Sequence, residues 1–316
     1  MYANRIYTMT EQPAENGAPQ GPRTLQASLD ETRELIRRTL QQSDPVLADV
    51  TRHLAQGNGK NIRAAFLLAA SADENGLVSQ NAVTAAAALE ILHLATLVHD
   101  DIIDDAPTRR GQPSVQRKFG KKTAVISGDY LFCVCFSMIA GQTQQYPQHI
   151  SLFTKAISGL CVGELRQHQH NRDTDLSVLG YMRIIAGKTA ALFALALYAG
   201  SLLGGSDEKT CRLMGRIGYN VGILFQLIDD CLDYESTAGT LQKSVKHDLT
   251  EGVITLPLIY AMQKNIGLKQ LAGQANLSAA EIRDAAAEVM RLGGLNQARL
   301  VADKYYLKAG HLLEQL

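Results

Sequence analysis

A surplus of charge of either sign is missing from this sequence. Its 31 Lys and Arg balance 31 Asp and Glu. That balance argues against a nucleic-acid binder held by bulk positive charge, so charge matters here by where it sits. There is no CxxC pair, and the five cysteines (Cys133, Cys135, Cys161, Cys211 and Cys231) are an odd number. Most lie in apolar, helix-like runs, which predicts small buried hydrophobes in a reducing compartment and a cytoplasmic protein. The first residues lack the apolar core of a signal peptide. Their Gln, Pro, Gly and Asn content predicts a disordered tail over residues 1–22. The longest apolar stretch, Thr189 to Gly205, is too short and too rich in Gly and Ser for a membrane span. A buried helix, a soluble protein and no transmembrane segment follow. Also missing are a sustained strand alternation, a short-period repeat and a Pro/Ser-rich linker inside residues 23–316.

What is present is helical patterning and apolar content, 46% of the chain. The Ala- and Leu-rich stretch from Asn81 to Asp105 has no Gly or Pro, predicting one long helix that Pro107 stops. Similar patterns cover Leu25–Gln42, Asn61–Ala72, Thr123–Ala140, Gln148–His170, Leu176–Ala186, Lys188–Leu203, Glu208–Tyr234, Leu256–Lys264, Ala279–Leu292 and Leu295–Glu314. Glycines fall mostly between them, as helix-ending residues should. The prediction is one all-α domain over residues 23–316.

Two of these helices end in acids. "HDDIIDDAPTRRG" places Asp100, Asp101, Asp104 and Asp105 at the end of the first, and Arg109 and Arg110 follow. Spacing of i, i+4 pairs Asp100 with Asp104 and Asp101 with Asp105, and His93 lies on the stripe of the first pair. "FQLIDDCLDY" places Gln226, Asp229, Asp230 and Asp233 on one face late in another helix. Acids at a helix C-terminus oppose its dipole at about 0.3–1 kcal/mol each. Carboxylates about 4 Å apart repel by roughly 4 kcal/mol at an effective dielectric of 20. Like charges gathered behind apolar helix bodies require a cation. All-oxygen donors without a His/Cys set favour Mg²⁺ over Zn²⁺. Mg²⁺ is held by a few carboxylates plus phosphate, so facing clusters would hold several ions around one polyanion, with Arg109 and Arg110 reaching its oxygens.

Taken in order, these motifs resemble the trans-polyprenyl diphosphate synthase family. "HDDIIDDAPTRRGQPSV" is similar to its first aspartate-rich motif and "FQLIDDCLDY" to its second. "GNGKNIR", "GDYLF", "GKTAALF" and "DLTEGVITLPLIYA" resemble its other signatures. Together they span Gly57 to Ala261, and the likeness is strongest to long-chain heptaprenyl and octaprenyl synthases. The resemblance implies an all-α bundle of long antiparallel helices around a central cavity, usually a homodimer. It implies a prenyl transfer in which an allylic diphosphate, such as farnesyl diphosphate, condenses with isopentenyl diphosphate. By position, Asp100, Asp104, Asp229 and Asp233 would contact Mg²⁺, with Asp101 and Asp230 assisting. Arg109 and Lys243 would contact the allylic diphosphate. Lys60, Arg63, His93 and Arg110 would hold isopentenyl diphosphate. Lys188, Thr189 and Gln226 would lie near the developing cation. Ala95 and Thr96, small residues below Asp100, would admit a long tail, with Phe132 or Phe136 as its floor.

Taken singly, Lys60 and Arg63 read as a solvated basic face and His93 as a core histidine. "GKT" lacks P-loop spacing. His168 and His170 read as surface residues. The sequence departs from the family pattern at Asn61 and Ala64, at Gln242 to Ser244, at Val253 and in ending at Leu316. Those departures predict weaker isopentenyl diphosphate binding and lid closure. Alternatives remain: a catalytic subunit needing a small regulatory partner, a non-catalytic member, or a terpene cyclase, which Lys60, Arg63 and Asp233 disfavour. No nucleic-acid partner is expected; peripheral membrane contact at product release is.

Overall fold

The computed structural model describes residues 21, 23–57, 59–140, 149–235 and 248–316. The predicted tail lies almost wholly outside them, as does Lys243. The expected helices form, several of them started or ended by local chemistry. Helix α1 (Leu25–Gln41) starts at Thr24, whose side chain accepts from the Ala27 N–H. After α2 (Ala48–Ala55), which periodicity missed, α3 (Ile62–Ala70) starts from Asn61. Asn61 sits in the left-handed region at φ 48°, which asparagine tolerates better than most residues.

The long acidic helix is α4 (Gln80–Ile103). Its Ser79 cap accepts from the Ala82 N–H. The helix stops one residue before Asp104, and Asp105 turns left-handed at φ 47°. Asp105 therefore does not share a helix face with Asp101 as predicted, and pairs with Lys121 at 2.7 Å. A short hairpin follows, pairing β3 (Thr108–Arg109) with β4 (Gln112–Pro113); β1 (Arg23–Thr24) and β2 (Leu77–Val78) pair elsewhere. The hairpin tip holds Arg110 at φ 51° and Gly111 at φ 80°, the two positive values a tight two-residue hairpin needs. His53 on α2 fixes this hairpin through its Nε2 and the Pro113 carbonyl, 2.8 Å apart.

Next come α5 (Val115–Phe119), α6 (Lys121–Ala140) and α7 (His149–Gln169). Then α8 (Val178–Ile185) continues through a single π-turn, Ala186–Ala190, into α9 (Ala191–Leu203). The sequence reading broke this helix at Gly187. Instead, that glycine lets α7 approach: a Cβ on Gly187 would fall 2.5 Å from the Gly159 oxygen. One on Gly163 would fall 2.4 Å from the Lys188 nitrogen. The chain closes with α10 (Glu208–Glu235), α11 (Leu256–Met262), α12 (Ile266–Ala272), α13 (Ala279–Arg291) and α14 (Gly294–Leu313).

Two cores result. One gathers α4 and its neighbours around Leu68, Ile91, Leu92 and Leu131. The other gathers α10, α11, α13 and α14 around Leu227, Leu256 and Leu258. Three helical stretches, Gln80–Ile103, Lys121–Ala140 and Val178–Leu203, are long and apolar enough to cross a membrane, where the sequence reading found none. A helix surrounded by others in a bundle is apolar on most sides, which gives the same composition. The first of them is 67% buried within the fold, and Lys121–Ala140 only 28%. Among the cysteines, Cys135, Cys211 and Cys231 are buried as expected, whereas Cys133 and Cys161 are exposed.

Candidate active site

The ends of α4 and α10 bring both acid clusters to one cavity of about 170 Å³. Asp104 lines one side, and Asp229, Asp230 and Asp233 line the other. Lys188 and Gln226 lie between them, and Asp248 closes the wall. Burial and the charge of Glu164 push the Asp100 carboxyl up to about 7, while Lys188 pulls it back. Burial raises Asp229 too, helped by Asp233 and opposed by Lys60. Asp248 is held well above the usual carboxylate range by burial and by the charges of Asp230 and Asp233.

The second aspartate of each motif faces inward. Asp101 is 3% exposed. It accepts from Arg109 Nε at 2.7 Å, and Arg109 Nη2 approaches the same oxygen at 2.6 Å. Asp230 is 6% exposed and both its oxygens are engaged. Tyr181 donates its hydroxyl at 2.5 Å and Gln226 its amide at 2.8 Å. Gln226 in turn accepts the Thr189 hydroxyl at 2.7 Å. Asp101 and Asp230 thus orient Arg109 and Gln226.

Burial works against the Lys188 ammonium, but Glu164, Asp100 and Asp104 outweigh it and hold its pKa above the usual value. Lys188 meets Glu164 of α7 at 3.0 Å. Glu164, Asp248 and Tyr181 are site residues that sequence reasoning missed. The only signal for Asp248 was its place in "DLTEG". His170, read as a surface residue, borders the cavity and meets Asp173 at 2.6 Å. His168 is exposed, as expected.

A second, basic site lies on another side of α4. Arg63, His93 and Arg110 converge there. Burial first, then the charges of Arg63, Arg110 and Arg109, hold the His93 imidazole well below its usual pKa. Arg63 lies over the Phe193 ring, 5.1 Å from its centre, and its buried Nε has no hydrogen-bond partner. Glu90 is the nearby acid, pushed up by burial despite those cations. It accepts from the Ala64 N–H at 3.0 Å, a donor that a proline at this position would lack. Gly59 has room for Arg110 because it has no side chain: a Cβ would lie 2.9 Å from the guanidinium. Lys60 is exposed, and its charge acts on Asp229 of the acid cavity. Val253 lines that cavity where the resemblance led one to expect a cation.

Below Asp100, Ala95 is fully buried, and Thr96 donates its hydroxyl to the His93 carbonyl at 2.8 Å. Phe132 packs on His99, ring centres 5.6 Å apart. His99 rests on Gly128, where a Cβ would lie 2.3 Å from its Nε2. Phe136 meets Phe153 edge to face.

The donor set of the acid cavity, carboxylates of which several are raised by burial and mutual repulsion, fits hard divalent cations. Among the described residues no three His, Cys, Asp or Glu side chains form a closed metal cage. The fit is therefore to ions that complete their shell with water and ligand oxygens.

These pKa shifts make a prediction for the metal-free protein. Asp100 and Asp230 are raised to about 7. A carboxyl raised in the folded state contributes stability that is present below its unfolded value near 3.9 and is lost as pH rises through the folded pKa. His93, held low, contributes the opposite sign below about pH 6.5. Calorimetry in chelator should therefore show Tm falling by several degrees between pH 6.5 and 8. A flat profile would mean that these acids are solvated.

Residues 44–289 match the family described as polyprenyl synthetase. Heptaprenyl diphosphate synthase component 2 of Geobacillus stearothermophilus is 34% identical over 92% of this chain and 91% of its own. The heptaprenyl diphosphate synthase structure from Staphylococcus aureus superposes with a TM-score of 0.83 at 30% identity, covering 94% of this chain and 93% of that one. The Caulobacter crescentus polyprenyl synthase complexed with calcium and isoprenyl diphosphate gives 0.83 at 30% identity, covering 92% and 89%. With two acid clusters facing one cavity, a basic site beside them and this likeness over nearly its whole length, the chain belongs to the polyprenyl synthetase family.

Proposed function

We propose that the chain condenses an allylic diphosphate, such as farnesyl diphosphate, with isopentenyl diphosphate to make a long-chain all-trans polyprenyl diphosphate. The observation that carries this is one helix end flanked by two unlike sites. The acid cavity suits a diphosphate wrapped in metal ions. The arginine-rich site suits a second diphosphate that needs none. Asp100, Asp104, Asp229 and Asp233 would hold several Mg²⁺; bound there, the metal supplies charge neutralisation to the leaving diphosphate. A relative's structure holding calcium and isoprenyl diphosphate supports such ions here.

Lys188 and Arg109 add fixed positive charge where the leaving group's charge grows. The bond between the allylic C1 and its diphosphate oxygen breaks, and the electron pair leaves with the diphosphate. The double bond of isopentenyl diphosphate attacks C1, and the departing diphosphate takes the proton then lost. Thr189 and Gln226, linked at 2.7 Å and anchored on Asp230, aim oxygen dipoles at the cationic carbon. Arg63, His93 and Arg110 hold the acceptor diphosphate. The test is incubation with Mg²⁺, labelled isopentenyl diphosphate and farnesyl diphosphate, followed by sizing of the products. Mg²⁺ with inorganic diphosphate should also raise Tm clearly more than Mg²⁺ alone. Equal shifts would point to a preformed ion site unrelated to diphosphate.

Assembly as a homodimer is supported by apolar side chains left exposed on α6 and α7, among them Ile126, Phe136, Val162 and Leu165. The Geobacillus relative's name, component 2, supports a heteromeric partner as the alternative. Sedimentation of the chain alone separates the two. Five unpaired cysteines support a reducing, cytoplasmic setting.

A further inference from the structure

Between α1 and α4 lies a second cavity, larger than the acid one at about 420 Å³. On α1 the stripe Arg33, Ile36, Arg37, Leu40 faces it, spaced i, i+3, i+4, i+7. On α4 the stripe Glu90, His93, Leu94, Leu97 faces back with the same spacing. Leu54, at the end of α2, closes one side. The space thus carries an apolar strip, Ile36, Leu54, Leu94 and Leu97, edged by Arg33, Arg37 and Glu90, and is basic where His93 and Arg110 border it. It is distinct from any tunnel beneath Ala95 and Thr96. Successive residues of a helix turn by about 100°, so Thr96 points roughly that far from Leu97.

The charges at its mouth are unequal. Arg33 and Arg37 are already held at the surface by Asp30 and Glu34, at 2.8 Å and 2.6 Å. Arg63 lies behind the groove wall with Glu90 as its nearby acid; among the described residues neither it nor Arg110 makes a salt bridge, and Arg63 Nε is buried without a hydrogen-bond partner. Two arginines and His93 against one carboxyl leave room for a further anion there. The length of the groove says what the anion carries. The α1 stripe from Arg33 to Leu40 rises about 10 Å. The carbon chain of isopentenyl diphosphate, three bonds end to end, spans at most about 5 Å. A five-carbon acceptor also turns its double bond toward Asp100 and Thr189 to react, away from Leu40.

We infer that the α1–α4 groove takes the hydrocarbon tail of a prenyl diphosphate whose head rests on Arg63 and Arg110, so that products of this enzyme compete with isopentenyl diphosphate for its site. The inference rests on the prenyl-transfer reading for the identity of the ligand. Physically it requires only an anionic head and an apolar tail, and the site supplies the complement of each. A short tail would leave Ile36, Leu94 and Leu97 wet, whereas a longer one covers them. Occupancy would therefore rise as product accumulates and lengthens, throttling elongation by excluding the acceptor while the acid cavity remains open.

The test uses the full chain in chelator, which removes metal-dependent binding at the acid cavity. Isothermal titration measures isopentenyl, geranyl and farnesyl diphosphates, singly and in competition. For wild type, affinity should rise at least tenfold from the isopentenyl to the farnesyl compound, and farnesyl diphosphate should displace isopentenyl diphosphate one for one. Ile36→Trp fills the groove without touching the head site. It should remove the dependence on tail length and leave isopentenyl diphosphate binding and initial turnover unchanged. Ile36→Gln, which adds little bulk and makes the floor polar, should act in the same direction should the tryptophan fail to fold. Simultaneous binding of the two diphosphates, or an unchanged tail dependence in a folded Ile36 variant, would overturn the inference. Absence of prenyl transfer by wild type with Mg²⁺ would instead sink the reading of the reaction, and the metal-free binding result would stand apart from it.

Discussion

Asp100→Asn is expected to lower prenyl transfer by roughly 10³-fold or more, the scale on which loss of a preorganised electrostatic group acts, and to leave the metal-free protein at least as stable at pH 8. The first half follows from the position of Asp100, one helical turn before the cavity-lining Asp104 and within the field of Lys188. The second half follows from its surroundings: burial and Glu164 raise its carboxyl to about 7, so at pH 8 the ionised form is held at a cost. Asparagine keeps the shape and removes the charge. Lys188 retains Glu164 at 3.0 Å and is not stranded. Asp229→Asn should behave alike, because Asp229 is also raised by burial and by Asp233.

Asp230→Ala makes the contrast. Its two oxygens take hydrogen bonds from Tyr181 and Gln226, and removing them leaves buried donors unpaired at about 1–3 kcal/mol. That variant should lose stability as well as activity. Steady-state rates and Tm of the three proteins, measured side by side, decide the matter. A large loss of metal-free stability in Asp100→Asn would mean the first aspartates are structural and that the cavity is not built around a cation.

The contrast between Asp100 and Asp230 shows where the sequence could be read and where it could not. Helices with an uninterrupted apolar period, such as α4 and α10, were legible to within a residue or two, because burial of one stripe decides them whatever the neighbours do. The convergence of the two acid clusters was legible too, since charge gathered at two helix ends needs a common counter-ion. The inward turn of Asp101 and Asp230 was not. Spacing places both on the same broad face as their neighbours, and only the partners, Arg109 on a hairpin and Tyr181 on α8, draw them away. Glu164 escaped for a related reason. It meets Lys188 because Gly163 and Gly187 let two helices touch, and close approach between distant glycines leaves no periodic trace. Gly187 was instead read as a helix end. The hairpin carrying Arg110 had a weak signal in Arg110–Gly111, but one glycine does not announce a left-handed arginine before it. Lys60, which the resemblance gives to isopentenyl diphosphate, is exposed and its charge acts on Asp229; where a loop side chain reaches is set by contacts and not by order along the chain.

Chain length is where the small residues of α4 should have their largest effect. Wild-type protein is expected to make products longer than geranylgeranyl diphosphate, with six to eight isoprene units predominant, and Ala95→Phe to shorten them. Position 95 lies about 7 Å along the helix axis from Asp100, at 1.5 Å per residue. A tail ionised at the acid cavity must therefore pass near it. Ala95 is fully buried, so a ring there has no solvent to turn into and must displace whatever lies alongside, native side chains or substrate. Across from this part of α4, on α6, Phe132 packs on His99, and His99 is seated on Gly128. By the resemblance the Phe132 ring would form the floor of the tail's path. Phe132→Ala would remove it and should lengthen the product. Overpacking costs about 1–3 kcal/mol, so Ala95→Phe will also lower Tm. The distribution of lengths among the products that do form, normalised to total turnover, is therefore the readout. Thr96→Phe is the companion variant: its native hydroxyl is bonded to its own helix at the His93 carbonyl, so the side chain contributes no polar link across the bundle. Chromatography of dephosphorylated products from these proteins tests the whole argument. A wild type that stops at farnesyl or geranylgeranyl, with Ala95→Phe indistinguishable from it, would show that the tail does not run along this face of α4.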